Sequence, residues 1–144
     1  MKHLFAYGTL MSLDIFYSVT ELKLPVTPGI LKEYIRHPVI GQLYPGITPQ
    51  NGAQVNGIIY KNVPAQAWTL LDLFEGEMYE CCTVHIEDKH EKIITADTYI
   101  IRPEYRHCLG QNEWDFQHFL KTEKNTFQSS YAGYTAVKVT KQDR

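Results

Sequence analysis

The sequence predicts an α+β domain whose sheet is mainly antiparallel and barrel-like, with a few short helices. Three observations lead there. Stretches that read as strands outnumber those with helical spacing. The two kinds do not alternate regularly, as a parallel sheet with crossover helices would require. Neither an internal repeat nor a low-complexity linker divides residues 1–144, which therefore read as a single domain. With 44% apolar and 21% charged residues, a chain of 144 is long enough for a substantial core.

His3–Tyr7 alternates around Leu4, Phe5 and Ala6 and reads as a first strand running straight into a turn at Gly8-Thr9. Glycine lets the backbone bend or approach a ligand closely, and amide groups after such a turn can receive an anion. An ordinary strand exit would look the same. A phosphate loop is excluded, because there is no second glycine at the needed spacing and no following lysine. Ser12 is placed to cap a short helix reaching about Leu22, which Pro25 closes. Val26–Tyr34 contains a strand interrupted at Pro28-Gly29, continued unevenly over Ile35–Ile40. Residues Gly41–Gly52 concentrate prolines and glycines and read as a loop, with Tyr44, Pro45 and Ile47 available to cover a pocket. Gln54–Val63 is strand-like, and Gly57 marks a bulge or a close approach.

Next comes Trp68–Tyr79, WTLLDLFEGEMY. Pro64 suits a first helical position, and Gly76 suits the residue that ends the helix. At about 100° per residue, Ala67, Trp68, Leu71 and Phe74 share an arc that would be buried. Glu75 is seven residues past Trp68 and falls in the same arc, while Asp72 lies at its edge. Burying an unpaired carboxylate is costly, and its usual escape is a raised pKa, which also suits it to general acid–base work. A last-turn Glu that fans into solvent or pairs with a lysine is the plainer alternative.

Tyr79–Glu87 and Lys92–Ile101 form a hairpin across Asp88–Glu91. Pro103–Asn112 reads as a loop that offers Tyr105 and His107 to a cleft. Glu113–Lys124 reads as a second amphipathic helix, and Tyr131–Thr140 as a terminal strand.

The formal net charge of −2 and the absence of a basic run give no field to recruit nucleic acid or an anionic membrane. No apolar run approaches a membrane span, and the N-terminus lacks the apolar core of a signal peptide. Cys81, Cys82 and Cys108 are an odd count without a disulfide framework, which fits reduced thiols in a cytoplasmic protein. Cys81 and His85 would share a strand face, but no second ligand pair has zinc-like spacing. Cys81 as a nucleophile lacks an evident supporting pair.

Four pieces stand in order: YGTL (Tyr7, Gly8, Thr9, Leu10), the YPGI loop, V-x-G-x-x-Y (Val55–Tyr60) and LDLFEGEMY (Leu71–Tyr79). Together they resemble the γ-glutamylcyclotransferase superfamily, in its AIG2-like branch that includes γ-glutamylamine cyclotransferase. The resemblance covers about His3 to Ile101 and extends more loosely to the Trp114–Phe119 helix. It implies a small mixed barrel with a cavity at one end, no cofactor and no metal. It also implies conversion of a γ-glutamyl amine or γ-glutamyl amino acid to 5-oxoproline and a free amine. The family's roles fall on Tyr7, Gly8, Thr9 and Leu10 as the substrate-holding turn and on Glu75 as acid/base. Tyr79 is a further candidate to bond substrate or Glu75, with packing as its alternative. The competing reading is a non-catalytic module that binds a γ-glutamyl or amino-acid-like molecule in the same cavity. Oligomeric state is unknown from the sequence.

Overall fold

A computed structural model describes residues 2–142. Five strands, β1 (Lys2–Ala6), β2 (Val26–Pro38), β3 (Pro45–Val63), β4 (Tyr79–Asp88) and β5 (Ile93–Ile101), close into a barrel in the order β1-β3-β2-β4-β5. Every pairing is antiparallel except the closing one, where β1 and β5 run parallel at Leu4↔Asp97. The sheet is therefore mixed and mainly antiparallel, as the sequence predicts.

The pleat sorts side chains into two cores. Phe5, Leu31, Ile47, Val55, Ile59, Val84 and Ile86 fill the barrel interior. Leu4, Ala6, Tyr60, Tyr99 and Ile101 face outward, against α1 (Leu13–Thr20), α2 (Ala65–Glu75) and the C-terminal helices. Ser12 caps α1 as expected, its Oγ accepting from the Ile15 amide at 3.4 Å. Pro64 stands one position earlier than anticipated, at the N-cap of α2.

Four expectations need correction. Residues 41–52 are not one loop. β3 begins at Pro45, and only the tip is a turn, closed by the Val39 amide donating to Tyr44 O at 3.0 Å. The prolines misled because they sit where the ladder tolerates a missing donor: Pro45 faces Pro38 at its end, and Pro49 faces Tyr34 beside an irregularity at Glu33. Gly46 is part of the packing, since a Cβ there would collide with Ile101.

The predicted terminal strand, Tyr131–Thr140, is instead helix α5 (Ala132–Gln142). Alternating β-branched residues suggested a strand. A closed barrel leaves this segment no edge to join, and it packs Gly133 and Val137 inward as a helix. Gly133 lets α5 settle on the end of α2, where a Cβ would meet Phe74 O. The predicted helix over Glu113–Lys124 starts later. Asp115 caps α3 (Phe116–His118), which widens into a π-helical turn (Phe119–Glu123) before α4 (Lys124–Ser130). Within the predicted loop Pro103–Asn112, Pro103–Cys108 is a 3₁₀ helix.

Candidate active site

Strand β1 ends at Ala6, and the chain turns through Tyr7 and Gly8 into a 3₁₀ turn over Thr9–Met11. Gly8 is needed for space: a Cβ would stand 3.0 Å from Cγ of Pro45. The carbonyls of Gly8 and Thr9 accept from Met11 and Ser12 at 3.0 and 3.1 Å, a pattern that makes no use of the Gly8, Thr9 and Leu10 amides. The turn is pinned from behind by the Tyr60 hydroxyl, which donates to Leu10 O at 2.6 Å while its ring stacks on Phe16.

Helix α2 delivers Glu75 to the same place. Its buried residues are Ala67, Leu70, Leu71 and Phe74, and Glu75 closes the last turn. Gly76 follows with φ 84° and ψ −171°, a conformation open to little but glycine, so the chain leaves the helix sharply and enters β4 at Tyr79.

Tyr7, Gly8, Thr9, Leu10, Glu75 and Tyr79 all line one cavity at the mouth of the barrel. The cavity measures about 30 Å³ and is otherwise walled largely by aromatic rings. Two of its tyrosines donate to main-chain carbonyls from the barrel side: Tyr7 to Tyr99 O at 2.5 Å and Tyr79 to Pro45 O at 2.7 Å. Burial pushes both phenols well above their ordinary value, so they remain neutral donors. The Tyr79 proton is thereby engaged by the protein, leaving its oxygen as an acceptor.

Glu75 is the charge-bearing group of this cavity. The residue keeps some accessible surface, but its carboxyl end is packed round by protein. Burial first, and the neighbouring Asp72 second, push its carboxyl up to about 8. None of the ion pairs among the described residues involves it. Asp72 is exposed and accepts from the Tyr99 hydroxyl at 2.6 Å. Here is a carboxyl group whose pKa is raised to about 8, in a small cavity that is also lined by Gly8, Thr9 and Leu10. Such a group can take or give a proton at a bound substrate.

Other sequence candidates stand elsewhere. Tyr105 and His107 do not line the cavity. Cys81 lies on an exposed stretch of β4, and burial of its sulfur, then Asp97 and Asp72, raise its pKa, which disfavours the reactive thiolate. No group of three or more His, Cys, Asp or Glu side chains suited to a metal occurs among the described residues.

The sequence model of the family described as "Gamma-glutamyl cyclotransferase, AIG2-like" matches residues 4–116. The chain belongs to the AIG2-like γ-glutamyl cyclotransferase family. It is 29% identical over 126 residues to AIG2-like protein C of Arabidopsis thaliana, covering 86% of this chain and 72% of the relative. Among solved structures it resembles an AIG2-like protein from Mus musculus, with TM-score 0.61, 24% identity and coverage of 80% and 88% of the two chains. It also resembles a yeast γ-glutamyl cyclotransferase specific to glutathione, with TM-score 0.62, 9% identity and coverage of 99% and 96%. These last two likenesses are of fold.

The match to the AIG2-like family model stops at residue 116, yet the cavity does not. Phe127 of α4 and Tyr131, the residue that joins α4 to α5, line it too. The Tyr131 hydroxyl donates to Phe74 O at 2.6 Å and lies 3.1 Å from Glu75 O, capping the end of α2. Sequence reading missed both residues, because they belong to no motif and only the path of the chain carries them there. Tyr44, singled out in sequence as a possible cover, does line the cavity, with Pro45 beside it. Arg36, which donates to Tyr7 O from β2, was also missed. No helix among the described residues is long and apolar enough to cross a membrane.

Proposed function

We propose that this protein is a cofactor-free γ-glutamyl cyclotransferase, acting on a γ-glutamyl amine or γ-glutamyl amino acid, with Glu75 as general acid/base. The observation that carries this reading is the Glu75 carboxyl, raised to about 8 by burial, in one small cavity with the Tyr7–Leu10 turn.

The reaction is an intramolecular aminolysis. The α-ammonium of the glutamyl group gives a proton to the Glu75 carboxylate, and the freed amine attacks the γ-carbonyl carbon. A ring C–N bond forms, and Glu75 returns the first proton to the departing nitrogen as its bond to carbon breaks. Glu75 then takes the second proton from the ring nitrogen and passes it to the freed amine, which leaves as an ammonium. No proton is gained or lost overall. Amides at Gly8, Thr9 and Leu10 are suited to the negative charge that builds on the carbonyl oxygen or to the substrate's carboxylate. Holding the substrate folded supplies much of the acceleration, since ring closure within one molecule depends on orientation. A cavity of about 30 Å³ accommodates little more than a water or two. Substrate entry therefore needs one wall to yield. The wall of Tyr44, Phe127 and Tyr131 is the one suited to yield, because its rings come from a turn, from α4 and from the residue that joins α4 to α5. The three free cysteines fit a reducing, cytoplasmic setting.

The test is release of 5-oxoproline, by mass spectrometry, from γ-glutamyl amino acids, ε-(γ-glutamyl)-lysine and glutathione. Wild type should form product with one leaving-group class, and Glu75→Gln should lose about 10²- to 10⁴-fold of the rate. Product from both proteins removes Glu75 from its role. No product from any substrate, with a γ-glutamyl compound still raising the melting temperature, turns the reading to a binding module.

A further inference from the structure

Arg36 is the one arginine of β2, and its guanidinium is drawn into the protein rather than left in water. Its Nη1 donates to Tyr7 O at 2.7 Å and to Asn56 O at 3.1 Å. The guanidinium carbon lies 5.6 Å from the centre of the Trp114 ring. Nε is buried with no hydrogen-bond partner. Burial is the largest influence on the group and disfavours its charge; Glu113 and Asp115 lie near enough to favour it, yet no ion pair to Arg36 forms among the described residues. A half-buried cation without an ion-pair partner is costly, and such groups persist where the charge has another use.

The position of Arg36 suggests that use. Ala6 pairs with Ile58, and just beyond that pair β1 leaves the ladder to form the turn that lines the cavity. At Gly57 the two strands press so closely that a Cβ would meet Ala6 O. Arg36 takes over where the ladder stops, joining Tyr7 on one strand's exit to Asn56 on the other. Its bond to Tyr7 O fixes the peptide whose other end is the Gly8 amide. It also polarises that peptide, which strengthens the amide as a donor.

The geometry points to Arg36 as a positioning residue that holds the Tyr7–Gly8 peptide and lends positive charge to a carboxylate bound at the turn. The class of ligand is an α-amino-acid carboxylate, and in the cyclotransferase reading, on which that identity rests, it is the α-carboxylate of the γ-glutamyl group. Arg36 works through the peptide, not by touching substrate. A lysine cannot replace it fully, because a strongly hydrated ammonium lacks the planar face that lies over the Trp114 ring.

The experiment compares wild type with Arg36→Lys and Arg36→Met, each checked for native circular dichroism and cooperative melting. KM and kcat are measured on the best γ-glutamyl substrate, and melting temperature with L-glutamate and with 5-oxoproline as probes. Arg36→Met should raise KM about tenfold or more while kcat falls much less. Arg36→Lys should recover part of the KM. The stabilisation that either probe gives wild type should vanish in Arg36→Met. Unchanged KM in Arg36→Met overturns the role. So does an equal loss of kcat and KM in both variants together with a lower melting temperature, which is the mark of structural damage alone. If wild type releases no 5-oxoproline, the cyclotransferase reading fails separately, and the probe measurements still decide Arg36. Stabilisation lost in Arg36→Met upholds the anchoring role, and a wild type that neither probe stabilises overturns it.

Discussion

On the barrel side of the cavity, Tyr7 and Tyr79 sit at strand ends and are tied by hydroxyl bonds to the carbonyls of Tyr99 and Pro45, whereas on the helical side Phe127 and Tyr131 are held mainly by ring contacts. The barrel wall belongs to a closed ladder in which each strand is paired on both sides. The helical wall follows a π-helical turn, a feature frequent near functional sites, and meets the rest through rings: Phe127 to Phe74 at 6.2 Å, Phe127 to Tyr131 at 4.7 Å and Tyr131 to Phe74 at 5.0 Å. Ion pairs Lys124–Asp14 and Lys141–Glu21 also join these helices to α1 and to its end. Each has a well-exposed carboxylate, and such pairs add little. Directional bonds at both tyrosines fix the barrel wall, and apolar area holds the helical wall apart from the Tyr131 hydroxyl, which bonds the end of α2. In the proposed cyclotransferase the two halves would divide the labour: one presents fixed donors, and the other, able to shift and repack, admits and encloses the substrate.

The largest expected effect tests the helical wall. Phe127 is 2% exposed and touches rings of Phe74, Phe119, Tyr44 and Tyr131. Phe127→Ala should cost about 3–5 kcal/mol of unfolding free energy in urea, through lost burial and the cavity left behind. A cost near 1 kcal/mol or less would mean that the C-terminal helices are not part of the cooperative fold, and the contrast between the walls would collapse.

A pH series tests the carboxyl that both walls enclose. The native pKa of Glu75, about 8, lies above its ordinary 4.5. Between those values the folded protein holds a proton that the unfolded chain has released. Stability contributed by the protonated form is therefore fully present below pH 4.5 and is lost as pH rises through 8. The slope is at most about 1.4 kcal/mol per pH unit, for a total of a few kcal/mol. Urea unfolding at pH 5, 7 and 9 should show wild type weakening relative to Glu75→Gln. Parallel curves for the two proteins would show that Glu75 is not held protonated. The rate of 5-oxoproline formation should rise toward pH 8, as the base form appears.

How far the sequence revealed this arrangement depended on where each signal is written. Glu75 was legible because helical spacing from Trp68 put a carboxylate on a buried arc and Gly76 marked the exit. The barrel hairpin Tyr79–Ile101 was legible for a similar reason, as local alternation with a turn between. Residues 45–49 were not, because proline at a ladder end looks the same in sequence as proline in a loop. Thr135, Val137 and Val139 have the local preference of a strand, and only the closed barrel and the packing on α2 make that segment a helix. Arg36 and Tyr131 act across 29 and more than 50 residues of chain, so no local pattern could announce them.

The smallest effect is the most specific to the join between the walls. Tyr131→Phe keeps the ring that packs on Phe74 and Phe127 and removes only the hydroxyl. Phe74 O then loses its partner at 2.6 Å, and Glu75 O loses one at 3.1 Å, at the helix end where carbonyls have no partner within the helix itself. The expected cost is about 1 kcal/mol of stability. Because these carbonyls belong to Glu75, the proposed acid/base, and to its neighbour, the rate of 5-oxoproline release should fall by more than the stability loss alone explains, with KM little changed. A variant that loses stability and keeps full kcat would show that Tyr131 only closes the cavity. One that keeps stability and loses kcat would show that the helical wall, held mainly by area, still contributes a directional bond that sets where Glu75 points.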